Sequence, residues 1–224
     1  MSWKPVEYKF VLLGDSSVGK SAIFSRLSGR NFSDFSSPTI GTDKIVINFD
    51  DVEICTNKTK NFKITLFDTA GQERYRSITK TYFKDSKGII LIYSIIKSDS
   101  FEHVQIWLDS IKESLSDWKR SGYLVMLLGN KLDIAEENKE KRQVLMEEAE
   151  KLCKDIGLYW GGECSAKTFD NDKIREIFEK LTKEVYLKLK VNDEDNGKKK
   201  TETLKELIPP KKKKRVACCQ KNEP

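Results

Sequence analysis

A chain of 224 residues, 38% of them hydrophobic, is long enough for one domain with a substantial core and an extension. Its net charge of +6 is modest but unevenly placed, and its 5 cysteines show neither metal-ligand spacing nor a secreted disulfide framework. Met1-Ser2-Trp3-Lys4-Pro5 carries no apolar signal region and no stretch approaches about 20 apolar residues, so a cytosolic, reduced protein without a membrane span is expected.

The first apolar run, Tyr8 to Leu13, predicts a strand. It leads into Gly14-Asp15-Ser16-Ser17-Val18-Gly19-Lys20-Ser21, which has the form G-x-x-x-x-G-K-[ST] of a phosphate-binding loop. Gly14 and Gly19 let the backbone curl so that its N–H groups face a polyphosphate. Lys20 places an ammonium on the outer phosphates, and the Ser21 hydroxyl is a Mg²⁺ ligand. Ser21-Ala22-Ile23-Phe24-Ser25-Arg26-Leu27 opens a helix with Ile23, Phe24 and Leu27 on one face. Its free N–H groups and positive dipole end add to the anion site.

Lys44 to Phe49 and Phe62 to Phe67 read as two strands, joined as a hairpin across the polar Thr56 to Asn61 segment. Phe67-Asp68-Thr69-Ala70-Gly71-Gln72 follows. There Asp68 is placed to hold Mg²⁺ through water, the Gly71 N–H to reach a terminal phosphate, and Gln72 to orient an attacking water. Gly88 to Tyr93 and Tyr123 to Leu128 are continuously apolar, the pattern of parallel strands buried on both faces. Between them, Phe101, Val104, Trp107, Leu108 and Ile111 recur at helical spacing over Ser100 to Leu115. His103, the sole histidine, is read on this helix as a surface or packing residue, and Trp107 as core.

Gly129-Asn130-Lys131-Leu132-Asp133 follows the next strand. The Asp133 carboxylate matches the N1–H and exocyclic amine of guanine, a pair of donors that adenine lacks. Asn130 and Lys131 would fix the loop and cover the base. Arg142 to Ile156 predicts another helix, ended by Gly157. Cys164-Ser165-Ala166-Lys167 follows a strand candidate, where a backbone N–H can donate to guanine O6. Gly161-Gly162 just before it suggests a bulge. Ile174, Ile177, Phe178, Leu181, Val185 and Leu187 mark a last helix. Alternating strands and helices predict a doubly wound α/β domain with its ligand at the carboxyl ends of the strands. Cys55 and Cys153 are read as ordinary thiols and Cys164 as a buried filler.

These motifs, in this order, resemble the small GTPases of the Ras superfamily, and within it the Rab family, from about Tyr8 to Leu189. Gly14 to Ser21 and Asp68-Thr69-Ala70-Gly71-Gln72-Glu73-Arg74-Tyr75-Arg76-Ser77-Ile78-Thr79 carry the likeness. The resemblance implies a P-loop NTPase G domain: a mostly parallel central sheet with helices on both faces and one antiparallel strand. It implies a GTP-binding switch that hydrolyses GTP slowly to GDP. Nucleotide contacts would come from Asp15, Ser16, Ser17, Val18, Gly19, Lys20, Ser21, Ala22, Phe32, Thr39, Gly71, Asn130, Lys131, Asp133, Ser165, Ala166 and Lys167. Thr39 becomes the switch I threonine, binding Mg²⁺ beside Ser21 and Asp68 and the γ-phosphate through its N–H. Phe32 becomes the aromatic packed on the guanine ring. Lys20, Thr39, Gly71 and Gln72 carry the hydrolytic step. An exchange factor, a GTPase-activating protein and effectors are the implied partners, with the chain itself a monomer. Lys44, Phe67 and Tyr82 occupy the effector-facing triad, and Lys44 departs from the family's aromatic there.

The domain is expected to end at 190, with 191–224 a flexible basic tail. Pro209-Pro210 blocks helix continuation, and Lys211-Lys212-Lys213-Lys214-Arg215 precedes Cys218-Cys219. A basic cluster beside two lipidated cysteines is a strong membrane address. The cysteine pair matches the doubly geranylgeranylated end of Rabs, although Gln220-Lys221-Asn222-Glu223-Pro224 follows it. The expectation is a peripheral protein of the cytoplasmic leaflet, acting in vesicle traffic, met by the prenylation machinery and binding no nucleic acid. The basic run also fits a nuclear localisation signal, so a nuclear-targeted small GTPase stays open, as does a non-cycling guanine-nucleotide scaffold. An ATP-using phosphoryl-transfer protein is the alternative that Asp133 argues against.

Overall fold

In the computed structural model, the described residues are 4–34, 42–69, 83, 85–114 and 123–207, with side chains described only to 191. Continuous apolar runs build the centre of a 6-stranded sheet in the order β2-β3-β1-β4-β5-β6. The strands are β1 (Val6–Leu13), β2 (Thr42–Cys55), β3 (Lys58–Thr69), β4 (Gly88–Ser94), β5 (Leu124–Asn130) and β6 (Tyr159–Glu163). Only β2 runs antiparallel, paired to β3, and the other pairings are parallel. Every residue of β4 is buried, as its unbroken Gly-Ile-Ile-Leu-Ile-Tyr-Ser run requires of a central parallel strand.

The helices are α1 (Lys20–Leu27), α2 (Ser98–Glu102), α3 (Val104–Ser114), α4 (Leu132–Glu137), α5 (Met146–Ile156) and α6 (Asn171–Leu207). Alternation along each strand sends side chains to two separate cores. Phe10, Leu12, Ile90, Ile92, Met126 and Leu128 pack on one face with Ile23 and Leu27 of α1 and Ile174, Phe178, Leu181 and Val185 of α6. Val11, Leu13, Ile89, Leu91, Val125 and Leu127 pack on the other with Val104, Trp107, Leu108 and Ile111 of α3 and Ala149 and Cys153 of α5. The expected mostly parallel sheet with helices on both faces and one antiparallel strand is therefore present.

Several boundaries differ from the sequence expectation. The β2–β3 hairpin does not loop over Thr56 to Asn61; β3 already begins at Lys58, leaving Thr56-Asn57 as the turn. Asn57 there has φ +61°, a left-handed conformation that Asn tolerates better than most residues. The segment expected as one helix from Ser100 to Leu115 starts at Ser98 and is interrupted at His103. The helix expected from Arg142 begins only at Met146. The preceding backbone is tied elsewhere, since the N–H groups of Gln143 and Val144 both donate to Ile95 O, at 3.0 and 3.1 Å. The last helix continues past Lys190 to Leu207, so no break in helix marks the expected boundary there. The bulge expected near Gly161-Gly162 coincides with the β5–β6 register shift, and Gly162 has φ +86°.

Arg142, outside any helix, clamps the end of β6. Its guanidinium grips Glu163 in a bidentate pair at 2.6 and 2.8 Å and also donates to Val144 O at 3.1 Å. The Glu163 side chain is only 8% exposed. Arg142→Ala leaves that carboxylate buried without its counter-ion, and a loss of about 3 kcal/mol of stability is expected in chemical denaturation.

Among the described residues, no helix is long and apolar enough to cross a membrane. Residues 208–224, including Cys218 and Cys219, lie outside the described residues.

Candidate functional site

The ends of β1, β3, β5 and β6 deliver four chain segments to one edge of the sheet. Gly14 leaves β1 with φ +131°, and Gly19 enters α1 with φ +101°. A Cβ on Gly19 would lie 2.1 Å from Asn130 Nδ2, so the glycine is needed for the approach of the Asn130 side chain as well as for the turn. Ser17 also adopts a left-handed φ of +63°. The loop between them curls around the Lys20 side chain. Lys20 is 5% exposed and its Nζ donates to Gly14 O at 3.0 Å and Asp15 O at 2.7 Å. Burial lowers the Lys20 pKa to about 8, while Asp68 and Asp15 pull it back up.

Asn130 is the junction of the site. Its Nδ2 donates to Val18 O at 2.9 Å in the phosphate loop, and its Oδ1 accepts from Ala166 N at 3.1 Å in the loop after β6. The 2%-exposed Asn130 is thus satisfied on both ends of its amide. Lys131, with φ +72°, turns the chain into α4. Asp133 then meets the Ser165 hydroxyl at 2.6 Å. Ser165 Oγ in turn accepts from Lys167 N at 3.2 Å and Thr168 N at 3.0 Å, which holds that loop in shape. Lys167 Nζ stands 5.9 Å from the centre of the Phe32 ring and 3.5 Å from Asp34 Oδ1. Arg26 of α1 anchors the far side of this loop on Phe169 O.

Asp68, the penultimate residue of β3, is 2% exposed. Burial raises its pKa, opposed first by the hydrogen bond with the Ser21 side chain and then by Lys20. Its Oδ1 has no hydrogen-bond partner. A buried carboxylate oxygen left open beside a serine hydroxyl and a lysine fits a hard divalent cation, which prefers oxygen ligands and keeps several of its waters. Among the described residues there is no group of three or more His, Cys, Asp and Glu for an all-protein metal cage. A cation here would take its remaining ligands from water and phosphate.

The sequence expectation placed Asp15, Ser16, Ser17, Val18, Gly19, Lys20, Ser21 and Ala22 in one loop-helix unit and Asn130, Lys131, Asp133, Ser165, Ala166 and Lys167 in two others. The structure brings those units together, with Phe32 against Lys167. Thr39, Gly71 and Gln72 lie outside the described residues. Lys44 is exposed on β2 and sits in register with Phe67, whose ring has Lys9 Nζ 5.2 Å from its centre. Burial pushes the thiols of Cys153 and Cys164 up to about 11 and about 12, so neither is a nucleophile near neutral pH.

Trp107, expected in the core, is there at 2% exposed, and it and His103, expected at the surface or in packing, also reach the phosphate loop. His103 Nδ1 is 2.6 Å from Asp15 Oδ2, and Trp107 Nε1 donates to Asp15 Oδ1 at 2.9 Å. The signal was available in principle: an aspartate inside an anion-binding loop needs donors, and His103 and Trp107 are spaced i, i+4 on a helical stretch.

A six-stranded sheet of this order, with a phosphate loop after β1 and an Asn-Lys-x-Asp loop after β5, is the G domain of a P-loop GTPase. A model of the Ras family matches residues 9–187, and the chain belongs to that family. It is 38% identical over 211 residues to the Ras-related protein Rab-13 of Mesocricetus auratus, spanning 94% of this chain and 95% of that one. It is 39% identical over 181 residues to the Ras-related protein Rab-13 of Bos taurus, spanning 81% of each chain. A 35% match over 212 residues to the Ras-related protein Rab-44 of Homo sapiens spans 95% of this chain and 18% of that much longer relative. The chain is therefore a Rab-like small GTPase, and proteins of this family hydrolyse GTP.

Proposed function

We propose that this protein is a guanine-nucleotide switch which regulates vesicle traffic, cycling between GTP and GDP on the cytoplasmic face of membranes. The observation that carries the nucleotide assignment is the Asn130 junction, which joins the phosphate loop at Val18 to the Ser165-Ala166-Lys167 loop. One side chain thereby sets the spacing between a polyphosphate cradle and a base pocket.

In this reading the loop N–H groups from Asp15 to Ala22 and the Lys20 ammonium bind the β- and γ-phosphates. Asp133 selects guanine, the Ala166 region faces O6, and Phe32 and Lys131 cover the ring. Ser21, Asp68 and Thr39 would hold Mg²⁺, which supplies charge neutralisation on the phosphates when bound. Gln72 orients the attacking water while the Gly71 N–H holds the γ-phosphate. Loss of that phosphate relaxes the segments around Thr39 and Gly71, changing what effectors meet. An exchange factor reloads the site and an activating protein completes the transition-state stabilisation. Lipidation of Cys218 and Cys219 by prenylation machinery, beside the Lys211 to Arg215 cluster, anchors the monomer.

The test begins with the nucleotide that copurifies with the full chain, followed by phosphate release from GTP with Mg²⁺. Bound GDP or GTP with slow release is expected. ATP in the site overturns the base assignment, and tightly held GTP without turnover favours a scaffold. Gln72→Leu should lower the activator-stimulated rate by about a hundredfold or more while leaving GDP binding intact. For the anchor, intact mass and detergent partitioning of protein from its native cell should show added prenyl mass on the Cys218-Cys219 end.

A further inference from the structure

The phosphate loop carries an anion of its own. Asp15 lies between Gly14 and the residues that curl around Lys20, and its carboxylate is only 15% exposed. A carboxylate next to a polyphosphate cradle is repulsive unless it is turned away and compensated. In this protein both of its oxygens are engaged from the opposite face of the sheet. His103 Nδ1 meets Oδ2 at 2.6 Å and Trp107 Nε1 donates to Oδ1 at 2.9 Å. A carboxylate only accepts, so the His103 nitrogen facing it carries the proton. Trp107 is 2% exposed and packed with Val104, Leu108 and Ile111, so its indole N–H is a fixed donor. His103 is the junction between α2 and α3, and its backbone is held on both sides: its N–H donates to Asp99 O and its carbonyl accepts from Trp107 N.

We infer that His103 and Trp107 are positioning residues for the nucleotide site: they hold the Asp15 carboxylate on the α3 side of the phosphate loop and so set how tightly nucleotide is retained. The inference rests on the guanine-nucleotide reading above. The Asp15 carbonyl is engaged from the opposite direction, accepting from Lys20 Nζ at 2.7 Å. Asp15 is therefore fixed at its backbone by the phosphate-binding lysine and at its side chain by α3. Release of the side chain frees both the loop backbone and a negative charge beside the phosphates. It also makes α3 a mechanical neighbour of the nucleotide.

The experiment measures release of a fluorescent GDP analogue from the full chain at fixed Mg²⁺, for wild type, His103→Ala, His103→Asn, Trp107→Phe, Asp15→Ala and Asp15→Ala combined with His103→Ala. His103→Ala should speed release by about tenfold, the equivalent of one charge-assisted hydrogen bond. His103→Asn puts an amide nitrogen where Nδ1 stood and should bring release back to within about twofold of wild type, a rescue that loss of packing alone would not give. Trp107→Phe keeps the ring packed and removes the donor, and it should also speed release. In the Asp15→Ala background, His103→Ala should add nothing. Wild-type release from His103→Ala, or equal acceleration in His103→Ala and His103→Asn, overturns the inference. A wild type that holds no guanine nucleotide sinks the nucleotide reading and this inference with it. A wild type that holds nucleotide while every variant releases it at the same rate sinks this inference alone.

Discussion

Asp133→Ala should weaken retention of GDP and GTP by about two to four orders of magnitude. The substitution removes two hydrogen bonds to a charged acceptor, each worth about 1.5–3 kcal/mol when one partner is left unpaired. The carboxylate sits in the first turn of α4 and already accepts from Ser165 Oγ at 2.6 Å, so it is oriented before any base arrives. Preorganisation of this kind makes the loss fall on binding rather than on folding. Competition of labelled GDP against unlabelled GTP and ATP reads the effect. Wild type should ignore ATP, and Asp133→Ala should lose most of its preference. Unfolding of the nucleotide-free variant should move by only about 1 kcal/mol. A variant that retains guanine nucleotide as wild type does would remove Asp133 from the base pocket.

Gly14→Ala should be the most destabilising single-methyl change in the phosphate loop. Its Cβ would stand 2.1 Å from Ile92 O, a backbone atom of the central strand β4, and its φ of +131° is one that L side chains rarely adopt. Backbone strain of about 1–3 kcal/mol and overpacking of about the same size act together, and a total loss of about 4 kcal/mol is expected. That is a large share of the stability of an ordinary domain. Gly29→Ala is the control: its φ is +77° but nothing lies within 4 Å of the added Cβ, so only strain of about 1–2 kcal/mol remains. Chemical denaturation of the two variants side by side separates close approach from conformation. Equal losses would mean that the contact with Ile92 relaxes freely.

The strands were legible because burial in a parallel sheet writes itself into composition. The Gly88 to Tyr93 and Tyr123 to Leu128 runs correspond to β4 and β5, shifted by no more than a residue or two. Helix beginnings were less legible. Arg142 to Leu145 has helix-compatible residues, yet Gln143 and Val144 donate to Ile95 O and Arg142 is drawn to Glu163, contacts that no local pattern announces. The hairpin end differs from the sequence expectation for a related reason. Lys58 to Asn61 is polar, but β3 pairs it with β2 along the sheet edge, where polar side chains face water without penalty.

The phosphate loop, the Asp68 segment and the Asn130 to Asp133 loop can be read only together, from their order and spacing after a complete phosphate loop, because each alone is also a common turn or surface loop. The order of these motifs along alternating strands and helices was enough for the class of fold. Their union was not written in any window of sequence. Asn130 bridges to Val18 across 112 positions, and His103 reaches Asp15 across 88. Such contacts depend on the sheet order, which sets β1 beside β4 and β4 beside β5, and on the packing of α3 against the same edge. Local spacing dictates which backbone a segment can adopt; only closure of the whole sheet decides which distant side chains share a donor, and that is why the contacts of His103 and Trp107 with Asp15 are visible only in the tertiary structure.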